Sequence, residues 1–93
     1  VETINKYKGK YMKGWEDVRN ARFKKQLELG LFERPDQLTP RNPKVPEWDS
    51  LTQEEKERYD MQMAIYAAVI EEVDRSIGRV VEHLKEKGVL DNT

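Results

Sequence analysis

The residues best equipped for chemistry cluster in KYKGKYMKGW, Lys6 to Trp15, where four lysines, two tyrosines, one tryptophan and two glycines fall within ten residues. Lysines at that density could neutralise phosphates, and Tyr7, Tyr11 and Trp15 could stack on bases. The same pattern also arises where an amphipathic turn buries its rings and keeps its ammonium groups in water. Charge over the whole chain favours the second reading. Its 17 basic and 18 acidic side chains leave a net charge of −1, whereas a nucleic-acid binder usually carries a basic excess. No nucleic-acid partner is expected beyond weak, salt-sensitive attachment. Gly9 and Gly14 read as turns, because no glycine fingerprint or following Lys-Ser/Thr pair completes a phosphate loop.

The remaining candidates are isolated. His83, the one histidine, has Glu82 and Glu86 beside it but no further ligand at metal spacing, so a solvated helix residue is the expectation. Glu54, Glu55 and Glu57 sit where a helix begins and complement its dipole. Glu71, Glu72 and Asp74, interleaved with Arg75, read as surface charge. Tyr59 and Tyr66 fall in an apolar stripe, where core packing outranks a catalytic phenol. Cysteine is absent, which removes thiolate metal sites and a cysteine nucleophile together. No nucleophile, base and orienting group stand out as a set, so catalytic, cofactor-binding and metal residues are all expected to be none.

The elements that would position these residues are helical. The chain reads as mainly α, with two helical parts at about 15–29 and 52–87 joined by a proline-rich irregular connector. FERPDQLTPRNPKVPEWD, Phe32 to Asp49, contains all four prolines, and a connector this long usually needs a surface to lie on. Gly30 is expected to stop the first helix, whose apolar positions Trp15, Val18, Ala21, Phe23 and Leu27 follow helical spacing loosely. The second helix opens with a capping box at Thr52 and Glu55 and ends at Gly88. Along it Tyr59, Met63, Tyr66, Ile70, Val73, Ile77, Val80 and Leu84 alternate steps of four and three, forming one continuous apolar face. Met61, Ile65, Ala68 and Val69 widen it. At 1.5 Å per residue the helix would run about 54 Å, against about 30 Å for a compact globule of this length. The helix outruns its own domain, and no alternating strand pattern offers a sheet to cover it. No apolar run approaches a bilayer span, so no membrane partner is expected.

Taken in order, the opening stretch, the proline connector and MAIYAAVIEEVDRSIGRVVEHLKEKGVLDNT resemble an internal segment of formylglycine-dependent sulfatases of the arylsulfatase type, over nearly the whole chain. The resemblance implies an α/β parent that hydrolyses sulfate esters with a formylglycine nucleophile and a calcium ion. Members of this family are often exported, but the chain carries no localisation signal of its own. The family's Cys/Ser-x-Pro-x-Arg sequence and paired N-terminal aspartates are missing here. Asp91 and Asn92 resemble its Asp-Asn metal pair only superficially, since they occupy the turn before the expected strand. The resemblance thus implies that 1–93 is an internal helical segment of a sulfatase domain, inert alone, that continues beyond Thr93. It divides into 1–31 as opening stretch and first helix, 32–51 as connector, 52–88 as long helix, and 89–93 as a turn into a strand. Its expected partners are the remainder of the parent domain and, through the eight-residue apolar face, another copy of itself. The alternative is a free-standing helical interaction or oligomerisation module.

Overall fold

In the computed structural model, residues 1–32 and 38–93 are described; Pro35 and the adjoining part of the connector lie outside the described residues. The chain is mainly α-helical, and no strand occurs among the described residues. Helix α1 spans Glu2–Tyr7, α2 spans Trp15–Glu28, and α3 spans Gln53–Glu86, with short 3₁₀ turns at Trp48–Ser50 and Leu90–Asn92. The expected pair of helices is present. Helix α1 was not foreseen: six residues with no apolar periodicity carry no helical signal of their own, and a helix that short is not stable without a neighbour. Asp91 and Asn92 fall within the last 3₁₀ turn.

Local rules set the helix ends. The Thr52 hydroxyl accepts from the Glu55 amide, and the Glu55 carboxylate accepts from the Thr52 amide, which completes the capping box. At the far end the Val89 amide donates to the Leu84 carbonyl and the Gly88 amide to the Lys85 carbonyl. Helix α2 closes the same way, with Leu31 donating to Gln26 and Gly30 to Leu27. Both are Schellman closures, and Gly30 and Gly88 supply the positive φ that they require. Gly78 leaves α3 uninterrupted.

The described part of the connector lies along α2. Arg19 donates to the carbonyl and hydroxyl of Thr39. Arg41 pairs with Glu16 and Glu47 and donates to the Val45 carbonyl.

Helix α3 is the spine, and its two faces differ. Asp60, Ala64 and Ala68 are buried, and α1 packs against this helix. Of the 4-3 face, Tyr59 and Leu84 are half-buried, whereas Met63, Tyr66, Ile70, Val73, Ile77 and Val80 are exposed. Tyr66 is 62% exposed, so the expected core role for this ring is not met among the described residues. The molecule measures 54 × 39 × 21 Å with a radius of gyration of 18.0 Å, where a compact chain of this length would have about 12 Å. It exposes 7988 Å², against about 5,600 Å² for a folded monomer of its size. A surface excess of roughly 2,400 Å² follows from that scaling, and much of the 4-3 face lies within it.

Candidate functional site

The opening stretch meets α3 at a junction built from three rings. Trp15 stands edge-on to Trp48 at 5.0 Å between centroids and to Tyr59 at 5.6 Å, the geometry that aromatic quadrupoles favour. The Trp48 indole N–H donates to the Met12 carbonyl over 3.1 Å. Gly14, at φ 102, lies so close that a Cβ there would meet Trp48 Cγ at 2.6 Å. The rings of KYKGKYMKGW are thus partly committed to packing, and its glycines to turns.

Asp60, which the sequence reading did not single out, organises the turn before this junction. Only 4% exposed, its carboxylate accepts from the Gly9 amide at 2.7 Å and the Tyr11 amide at 2.9 Å. Two oxygens thereby hold two backbone donors of a lysine-rich loop that has no ladder of its own. A faint signal was available, because Asp60, Ala64 and Glu71 recur at helical spacing as small or acidic residues away from the large apolar face.

Glu71 departs from the reading as plain surface charge, whereas Glu72 is exposed and joins its network. Lys6 Nζ lies 2.8 Å from Glu71 Oε1, which also accepts from Arg75 at 3.0 Å. The Thr3 hydroxyl donates to Glu72 at 2.9 Å, and Arg75 closes the network on Glu72 at 2.8 Å. The Glu71 side chain retains 16% exposure. The Lys6 ammonium, and after it the Tyr7 hydroxyl, hold the Glu71 carboxyl below the ordinary carboxylate range. Hydrogen bonding to Glu71 raises Lys6 above the usual lysine value and Tyr7 above the usual phenol value. Glu71 Oε2 has no partner of regular geometry among the described residues, so the weight rests on Lys6 and Arg75. Asp74 is exposed.

Beside this latch runs an apolar groove of about 720 Å³, with Val1 and Ile4 on one wall and Ile65, Val69, Val73 and Ile77 on the other. His83 is exposed, 4.0 Å from Glu86. Among the described residues no group of three or more acidic or histidine side chains is placed to hold a metal ion. No helix among them is long and apolar enough to cross a membrane. The arrangement presents charge and apolar surface.

Along 99% of its length the chain is 43% identical to an uncharacterised sulfatase of Schizosaccharomyces pombe, over 95 residues. The chain is related to sulfatases. Over 92 residues, again 99% of the chain, this sulfatase-related sequence is 34% identical to the arylsulfatase of Klebsiella aerogenes. It spans 17% of the first relative and 20% of the second. No family model matches it. No solved structure matches it.

Proposed function

We propose that the chain is a structural, helical part of an arylsulfatase-like sulfuric ester hydrolase, that it lacks the catalytic residues, and that it is inert alone. The end-to-end alignment with a fifth or less of two sulfatases carries this reading. The apolar face of α3 is then where the remainder of the sulfatase domain docks. The exposure of that face supports this, with Ile70, Val73, Ile77 and Val80 each more than half exposed, in a chain whose total surface exceeds that of a compact monomer by about 2,400 Å². The calcium and formylglycine of the parent would belong to other parts of that domain.

Replacement of the aligned segment in the Klebsiella aerogenes arylsulfatase tests the reading. We expect a chimera carrying these residues to remain soluble and to hydrolyse an aryl sulfate, whereas the purified 93-residue chain gives no turnover that scales with its concentration. An insoluble chimera, or turnover by the chain itself, would contradict it. A second reading, a helical oligomerisation module, draws on the 4-3 spacing of the exposed face, which is the repeat of a coiled-coil seam. Under that reading the chimera fails while the isolated chain forms a stable oligomer of defined size.

A further inference from the structure

Helix α1 has six residues, none of them fully buried, and an isolated helix of that length does not persist in water. What fixes it to α3 is largely polar: Thr3 on Glu72, Lys6 on Glu71, and Arg75 bridging both carboxylates. Ile4 is half-buried. Yet α1 forms one wall of the apolar groove, through Val1 and Ile4, and packs against the helix that carries the small buried residues Ala64 and Ala68. We propose that α1 is a strap, latched to α3 by charge, whose release when the Glu71 and Glu72 carboxylates are neutralised or screened widens the apolar face of α3.

Every charged or titratable group around the latch bears on its release. Helix α1 presents Glu2, Lys6 and Tyr7, and α3 presents Asp60, Glu71, Glu72 and Arg75. The following turn adds Lys8 and Lys10, the latter with its ammonium 5.3 Å from the Tyr7 ring. Glu71 is depressed in the folded chain, so its contribution is full above the unfolded carboxylate value of about 4.3 and fades as pH falls below it. Lys6 is raised, so its contribution is full below about 10.4 and fades as pH climbs through its folded value. The strap is therefore closed across neutral pH and loosens in acid and in strong base. Exposed ion pairs are weak and salt-screened, which makes opening by salt an independent prediction. The inference concerns this chain's own contacts and does not depend on its being part of a sulfatase.

The absence of cysteine allows clean labelling. Nitroxides on Asn5→Cys and Arg79→Cys would report the strap by pulsed dipolar spectroscopy, with far-UV circular dichroism following α3. The expected result is a narrow distance distribution at pH 7 in low salt. It broadens and lengthens in acid or at about 1 M salt, where the Debye length is near 3 Å, while most helical signal remains. Glu71→Gln should lower the closed-to-open ratio several-fold at pH 7, as expected for loss of a partly exposed pair, and Glu54→Gln should leave it unchanged. A distribution that ignores acid, salt and Glu71→Gln would overturn the proposal. So would loss of α3 helicity in step with strap opening, because the strap would then not be a separable element.

Discussion

The two halves of α3 are made from similar residues and live in different surroundings. Around Tyr59, Asp60 and Ala64 the helix is met by Trp15, Trp48 and the Gly9–Tyr11 turn, and Ala64 has no exposure at all; α1 reaches it further along, at Glu71 and Glu72. From Ile70 to Val80 the same helix carries Ile and Val at core spacing, yet Ile77 is 57% and Val80 60% exposed. Apolar periodicity thus predicts which face asks for burial, but not which stretch of it this chain can cover by itself. Around Tyr59 and Asp60 three rings and one carboxylate do the covering; from Ile70 on, we propose, the rest of a sulfatase domain does it.

The sharpest way to break this contrast is to remove the ring that seals the first half. Trp48→Ala should cost about 3–5 kcal/mol, as for other large-to-small changes in packed sites, and should abolish the near-ultraviolet dichroism of the junction. Gly14→Ala attacks the same contact from the other side, through a positive φ and a Cβ driven into Trp48. Overpacking of that kind costs about 1–3 kcal/mol. If urea unfolding of either variant matches that of the parent chain, the junction is not what holds the first half together.

Asp60 comes next. Replacing it by Ala removes the acceptors of the part-buried Gly9 and Tyr11 amides, each bond to a charged group contributing about 1.5–3 kcal/mol at most. Amide hydrogen exchange should accelerate at Gly9 and Tyr11 while the middle of α3 keeps its protection. Uniform acceleration along α3 would show that the loop and the helix are one cooperative unit. The smallest effect on folding is expected in the bare half. Ile70→Lys and Ile77→Lys should alter the stability of the dilute chain by no more than about 0.5 kcal/mol, as for surface changes generally. They should nevertheless suppress the self-association that we expect of the wild-type face at high concentration, read by sedimentation equilibrium. A wild-type chain that stays monomeric throughout would show that the face has no drive to associate.

Much of the architecture was legible in the sequence, for identifiable reasons. Thr52 with Glu55, the 4-3 apolar row and the stop glycines are local signals, and local backbone geometry obeys them. Helix α1 was not legible, because its stability comes from residues near position 71 and not from its own pattern. The same separation hid the role of Asp60: a lone aspartate between Tyr59 and Met61 says nothing until the Gly9 turn is brought to it across some fifty positions. Glu71 looked like its neighbours Glu72 and Asp74, and only the approach of Lys6 distinguishes it. The lysine and ring pattern of the opening stretch was read as a buried-ring turn on charge balance alone. In the structure Tyr7, Tyr11 and Trp15 are half-buried, and Trp15 packs edge-on to Trp48 and Tyr59.

The central claim is that the second half of α3 is a docking face for the rest of a sulfatase domain, and one substitution in the segment-replaced Klebsiella aerogenes arylsulfatase addresses it. The decisive measurement is the soluble yield and aryl sulfate turnover of that chimera with and without Ile77→Lys. Burying a lysine where isoleucine should pack leaves an unpaired charge against apolar surface, so both readouts should collapse although the same change is harmless in the isolated chain. A lysine-bearing chimera as soluble and active as its parent would mean that Ile77 faces water in the complete enzyme, and that the exposed stripe of α3 is not where the domain closes.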